Sequence, residues 1–385
     1  MSTSIEDIIG GRCERELVNI KGWVYRKRQS KETIFLVVRD ATGVIQCTVK
    51  RKSPMWDVAE KVTIESSVLL SGTVRRDKRA PGGFEISVEK LEIVGLAETF
   101  PITRDAPRAR DEEFLRDVRH LWLRSRKMTT IMKVRSDVLR FVHDFFRQRA
   151  FIEVSPPMFI SSAVEGGATL FGLKYFDQNL YLTQSAQLHL EALIQSLEKV
   201  YCVAPSFRAE KSRTIRHLTE YWHVEAEEAF TDIDDMMCLE EDLVSYVCQE
   251  VAKHCRKELD YLKVKAEKLA KIRAPFVRIT YDDAIERLHK KGFKIKWGED
   301  FGFDEEKALA EEFGKPFFVY AYPRKIKAFY CKAYRDKPEL VMSADLLVPK
   351  IGEITTGGSR VDDKEELLRN IREFGLREED YEWYI

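Results

Sequence analysis

The chain has 385 residues, 44% of them hydrophobic and 33% charged, which gives room for two or three domains and excludes a disulfide-stapled miniprotein or a polar disordered chain. Sixty-four Lys and Arg balance 64 Asp and Glu, so bulk charge neither demands nor excludes a nucleic-acid partner. No apolar run approaches the roughly 18 residues of a bilayer span, the start MSTSIEDIIG lacks a signal peptide's order, and 7 Cys without a CxxC pair suit isolated thiols; a soluble cytoplasmic protein with no membrane contact is expected.

From Leu17 to Val94 the chain alternates in five β runs, LVNIKGWVY, TIFLVVRD, VIQCTVK, SSVLLSGTV and FEISVEKLEIV, with DATGV as a hairpin turn between the second and third. Five short strands in a row predict a small closed barrel of the oligonucleotide-binding (OB) type over residues 1–97. Those residues hold 17 Lys and Arg against 13 Asp and Glu, clustered at 26–28, 50–52 and 75–79, a rim suited to phosphates. Arg26, Arg28, Phe35 and Gln46 are expected near the binding face, where an aromatic stacks an unpaired base and Arg or Gln reads its edge. On this segment alone, the reading of Phe35 as a core residue is the favoured one.

Residues 98–127 turn to Pro and mixed charge and read as a hinge. Beyond them, helices are expected at about 128–150, 186–198, 234–258 and 363–375, and strands at about 200–208, 221–230, 316–322 and 326–332, giving a larger α+β domain over 128–385. Within 200–230 a charged loop separates two β runs. Alternation along the second puts Tyr221, His223, Glu225 and Glu227 on one face, a costly burial unless that face lines a site. In the loop, Arg208, Lys211, Arg213 and Arg216 crowd beside Glu210, His217 and Glu220, a set that could cradle a triphosphate. Zinc binding by His217 and His223 is disfavoured because their spacing matches no zinc pattern.

FIEVSPPMF after a helix, followed by FRAE, a basic loop and RHLTE, resembles motifs 1 and 2 of the class II aminoacyl-tRNA synthetases; with the barrel, the match is to the subclass charging Asp, Asn and Lys. The resemblance implies a catalytic domain built on an antiparallel sheet flanked by helices, and a homodimer through the Pro157 region. It implies ATP held by Arg208, Glu210, Arg216, His217, Glu220, Tyr221 and Glu353, with Arg208 as the catalytic contact to the α-phosphate. Arg26, Arg28, Phe35 and Gln46 would contact the tRNA anticodon. AVEGGATLF places Glu165 near the amino acid's ammonium group, and IGEITTGGSR places Glu353 and Thr356 on Mg²⁺, with Asp345 as a further acidic contact and Arg360 facing the substrate side chain.

TQSAQLHLEA contributes Gln187 and Leu190 to the amino-acid pocket by the same resemblance. Aspartate-charging relatives carry Lys where this chain has Leu190. A missing cation disfavours a substrate carboxylate, whereas Glu225 and Glu191 could accept from an amide. The archaeal-type asparaginyl enzymes are therefore the nearest resemblance, and ATP-dependent ligation of asparagine to tRNA is the expected reaction. The glycine placement in ITTGGSR keeps the aspartate enzymes as the alternative. A third class II motif, a Gly-rich strand and helix with an Arg for the γ-phosphate, is not found before YEWYI. A C-terminally incomplete catalytic domain, or a tRNA-binding paralogue without ligase activity, is the second alternative.

Overall fold

The structure, a computed structural model, describes residues 2–103, 108, 111–161, 169–209 and 218–385. It divides into two compact units, Met1–Ser125 and Arg126–Ile385. No helix of the described residues is long and apolar enough to cross a membrane, and all seven Cys are free thiols.

In the first unit, α1 (Ile5–Ile9) precedes β1 (Leu17–Gln29), β2 (Thr33–Arg39), β3 (Val44–Lys50), α2 (Trp56–Lys61), β4 (Ser67–Arg76) and β5 (Phe84–Gly95). The strands close into a barrel in the order β1-β2-β3-β5-β4. Alternation puts Val18, Ile20, Ile34, Leu36, Ile45, Cys47, Val68 and Leu70 inside one apolar cluster, which Trp56 and Ala59 of α2 help to cover. Closure brings backbones together at two glycines. A Cβ at Gly22 would lie 2.3 Å from the Arg39 carbonyl oxygen, and one at Gly72 would lie 2.1 Å from that of Ser87. The stretch expected as a hinge contains α3 (Glu112–Asp117) and α4 (Arg119–Trp122), the former capped by the Asp111 side chain. It also docks on the barrel: the Arg124 carbonyl accepts from Arg39 at 2.9 Å, and the Arg124 guanidinium lies 3.4 Å from Glu65.

The second unit opens with α5 (Arg126–Gln148), whose Phe141 and Phe145 pack on α7 (Ile233–His254). The short strands β6 (Ile152–Glu153), β7 (Phe159–Ile160), β8 (Gly172–Tyr175) and β9 (Gln178–Leu182) lead into α6 (Gln187–Leu197) and the long pair β10 (Lys199–Phe207) and β11 (Glu220–Glu228). After α7 come α8 (Arg256–Leu262), α9 (Ala266–Ala270), β12 (Val277–Thr280), α10 (Tyr281–Lys290), α11 (Phe303–Phe313), β13 (Phe317–Pro323), β14 (Leu340–Val348), β15 (Gly352–Gly358) and α12 (Lys364–Glu373). Pairing is mainly antiparallel, as expected. Among the described residues it is divided into sheets β11-β10-β6, β12-β13-β14-β15 and β7-β9-β8, with β6–β10 and β12–β13 parallel.

One expected strand is absent. Residues 326–332 begin in a 3₁₀ turn at Arg324–Ile326 and form no ladder, meeting neighbouring chain through the isolated bridge Cys331–Arg360 and single backbone hydrogen bonds such as that from the Val361 amide to the Tyr330 carbonyl at 2.9 Å. Pro323 ends the preceding strand, and Lys327 turns inward onto Asp345 instead of joining a ladder.

Candidate active site

The β10–β11 ladder runs without a register shift from Lys199 opposite Glu228 to Phe207 opposite Glu220. Strict alternation therefore sets Tyr221, His223, Glu225 and Glu227 along one face, as the sequence requires. That face lines an open cleft of about 1970 Å³, whose wall also includes Arg208, Gln187, Glu191, Lys327, Glu353, Thr356 and Arg360. Arg208 directly follows β10; its amide donates to the Thr219 carbonyl at 3.0 Å, and its guanidinium carbon lies 5.7 Å from the Tyr221 ring centre. Glu220 ends the ladder on the exposed side. Glu165, Glu210, Arg216 and His217 lie outside the described residues.

Glu225 corrects the sequence reading. Its two oxygens accept from the Ser185 hydroxyl and, at 2.9 Å, from the Ala186 amide. Ala186, the N-cap of α6, has no side chain that could cap the helix, so a carboxylate from the neighbouring strand does it. Glu225 is thereby tied to the start of α6 and keeps only its remaining lone pairs for a substrate amide. The residue on this face that meets a cation is Glu227, two positions on, which was recognised as a facing carboxylate but not as a site residue.

Arg360 is the centre of the constellation. One of its terminal nitrogens donates to Glu227, its Nε lies 3.2 Å from Glu191, and its guanidinium carbon lies 5.2 Å from the Tyr330 ring centre. Glu191 is oriented from two further sides: Gln187, one helical turn earlier on α6, donates to it at 2.8 Å, and the Tyr384 hydroxyl donates at 2.6 Å. Burial and then Glu191 push the Glu227 carboxyl upward against the opposing pull of Arg360, while its carboxylate neighbours raise Arg360 well above its ordinary value. Leu190 is fully buried in an apolar cluster with Ala186, Val200 and Cys202 and is not among the residues lining the cleft. It lies in the layer beneath the wall that Gln187 and Glu191 form, a second correction.

A group of acids lies along β14 and β15. Asp345, opposite Thr356 in the ladder, accepts from its hydroxyl at 2.5 Å and from the Lys327 ammonium at 2.7 and 2.8 Å. Lys327 sits 4.0 Å from the ring centre of Tyr322, which a bulge at Ala321, with φ +60°, turns inward. Asp345, expected as a further acidic contact beside Glu353 and Thr356, is thus already compensated by protein groups. Burial, and then Asp345, raise the Glu353 carboxyl. No group of three or more His, Cys, Asp or Glu side chains poised for a metal occurs among the described residues. Glu353 and the Thr356 hydroxyl oxygen both line the cleft and are the hard-oxygen groups there that could hold Mg²⁺, which takes one or two protein oxygens and completes its shell with phosphates and water.

On the barrel, a bulge at Tyr25 shifts the alternation of β1 by one residue. Before it, odd-numbered residues face outward; after it, Arg26 and Arg28 do. Arg28 pairs with Phe35, its guanidinium carbon 5.8 Å from the ring centre, and Phe35 stands outside the apolar cluster, so its core reading is discarded. Tyr25, which the sequence reading did not single out, lies within 5.3 Å of Arg26 and 5.6 Å of Arg39. Gln46 shares the outward parity but is 6% exposed, and its amide donates to Glu85 at 3.0 Å. It is a buried flank of the face rather than part of its rim.

Residues 111–385 match the family of class II tRNA synthetases (D, K and N), and residues 18–94 match the OB-fold nucleic acid binding domain. An asparagine--tRNA ligase of Thermococcus kodakarensis is 50% identical over 376 residues, 97% of this chain and 86% of that protein. One of Pelotomaculum thermopropionicum is 44% identical over 379 residues, 97% of this chain and 87% of that protein. The crystal structure of asparaginyl-tRNA synthetase from Pyrococcus horikoshii complexed with asparaginyl-adenylate superimposes with a TM-score of 0.95 at 44% identity, covering all of this chain and 89% of that one. With the barrel, the β10–β11 hairpin and the Arg360 cleft in place, the chain belongs to the class II aminoacyl-tRNA synthetases of the aspartate, lysine and asparagine group.

Proposed function

We propose that the chain ligates asparagine to tRNA through an asparaginyl-adenylate, and that the charge balance around Arg360 carries the choice of amino acid. One guanidinium faces two carboxylates, Glu191 and Glu227. A third negative charge from an aspartate side chain would be repelled. An asparagine amide is neutral, its oxygen can accept from the guanidinium, and its NH₂ can donate to a carboxylate. The names of the relatives in Thermococcus kodakarensis and Pyrococcus horikoshii agree with this reading.

In the first step the substrate's α-carboxylate oxygen attacks the α-phosphorus of ATP in line; the new P–O bond forms as the bond to pyrophosphate breaks. Arg208 offsets the charge that gathers on the α-phosphate oxygens, and Tyr221 supplies a ring surface for the adenine. Mg²⁺ bound by Glu353 and Thr356 would neutralise phosphate charge. In the second step a hydroxyl of the tRNA's terminal ribose attacks the activated carbonyl and AMP leaves. Arg26, Arg28 and Phe35 of the barrel hold the anticodon. The exposed apolar residues Ile152, Met158 and Phe159 flanking Pro157 support a homodimer through that segment. The test is amino-acid-dependent pyrophosphate exchange with asparagine and aspartate side by side: a higher kcat/KM for asparagine is expected, and preference for aspartate would overturn the assignment.

A further inference from the structure

Glu191 can hold Arg360 only if its own carboxylate is fixed, and the described structure fixes it from an unexpected side. Its first oxygen meets Gln187 and Arg360, and its second accepts from the Tyr384 hydroxyl at 2.6 Å. Tyr384 belongs to a segment far from α6 in sequence, following the 3₁₀ turn at Glu378–Tyr381. Its amide donates to the Tyr381 carbonyl at 2.9 Å, and Tyr381 is buried against Phe329. The adjacent Trp383 packs against His189 of α6 with ring centres 5.1 Å apart and planes tilted by 32°, so the same segment meets α6 at two residues, His189 and Glu191. Burial and then Glu191 keep the Tyr384 hydroxyl protonated far above neutral pH, which makes it a permanent donor.

We infer that Tyr384 is a positioning residue for the amino-acid side-chain subsite, acting through Glu191 on Arg360. The physical reason lies in the geometry of the Arg–carboxylate pair. A carboxylate free to rotate presents both oxygens to a guanidinium, and the bidentate pair is the stronger one. With the second oxygen held by Tyr384, Glu191 faces Arg360 through its first oxygen, 3.2 Å from an Nε that makes no hydrogen bond among the described residues, and the guanidinium keeps donors for the substrate. Without the hydroxyl, the second oxygen loses its donor in a partly buried site, and the carboxylate gains by closing on Arg360.

This inference rests on the assignment of Arg360 to the substrate side chain. Its test uses the full chain with Tyr384→Phe, which keeps the ring and its contacts with Phe329 and Trp383. Binding of asparagine, aspartate and ATP is measured separately by titration calorimetry. The expected result is about tenfold weaker binding of whichever amino acid the unmodified chain prefers, with ATP unchanged. In a Glu191→Gln background the same change is expected to add less than about twofold, because its route of action has been removed. Unchanged amino-acid binding, equal weakening of ATP, or the same factor in both backgrounds would each overturn the inference. Preference of the unmodified chain for aspartate would remove the asparagine assignment yet leave this inference standing, provided Tyr384→Phe weakens aspartate selectively.

Discussion

The barrel and the catalytic unit solve the problem of carrying function in opposite ways. In the barrel the interior is one apolar cluster, and the residues offered to a ligand, Arg26, Arg28 and Phe35, stand outside it. In the catalytic unit the offered groups are themselves interior: Glu191 is buried and Arg360 is mostly so, and nearby Asp345 and Lys327 are buried against each other. The first arrangement separates folding from binding. The second joins them, because ion pairs that shape the cleft also satisfy charges that the fold has taken out of water.

The sharpest way to break this contrast is Arg360→Ala. It leaves Glu191 and Glu227 facing each other without their cation, and a loss of about 3–5 kcal/mol of stability is expected together with loss of amino-acid activation, read by denaturant unfolding and pyrophosphate exchange. An active, fully stable Arg360→Ala chain would show that the pair is not shared between fold and function. The barrel's counterpart is a purely architectural lesion, Gly72→Ala. A methyl driven against the Ser87 carbonyl should cost about 1–3 kcal/mol in barrel unfolding, with asparagine activation unchanged at a temperature where the chain stays folded.

Phe35→Ala then tests separation directly. Loss of one stacked base should weaken tRNA by about 1–3 kcal/mol in a binding titration while the melting temperature stays put. A fall in stability equal to that of a core aromatic would return Phe35 to the interior. A pH-dependent effect concerns Glu240, which accepts from Thr355 at 3.0 Å and whose other oxygen is buried with no partner among the described residues. Burial raises its carboxyl from 4.5 to about 8. A carboxyl whose folded value exceeds its unfolded value holds a proton more tightly when folded, so its contribution is whole at low pH and is lost as pH rises from about 5 through 8. Glu240→Gln should leave stability near pH 4 unchanged and raise it at pH 8.5 by up to about 4 kcal/mol. Equal unfolding midpoints at both pH values would place that carboxyl in contact with water.

What could be read from the chain alone follows from how far each signal travels. The barrel was legible because alternation is a nearest-neighbour pattern: inside and outside are decided residue by residue along one strand, and five runs suffice to close it. The face carrying Tyr221, His223, Glu225 and Glu227 was legible for the same reason, and the FRAE and RHLTE strings placed Arg208 beside it. Where alternation is interrupted, the local rule fails. The bulge at Tyr25 reverses which residues of β1 face outward, and the Arg324–Ile326 turn replaces an expected strand by an inward lysine.

The partnerships at the site required the tertiary structure. Arg360 and Glu227 are 133 residues apart in sequence, and Tyr384 and Glu191 are 193 apart. Nothing in either neighbourhood announces its partner, because an ion pair or a buried hydrogen bond depends only on which groups packing brings together and which ones water can no longer reach. The sequence by itself determined that carboxylates would face the cleft. Tertiary packing decided that Glu225 caps α6, that Glu191 and Glu227 share Arg360, and that Asp345 is neutralised by Lys327, since each of these charges had to find its compensation among whatever neighbours folding supplied.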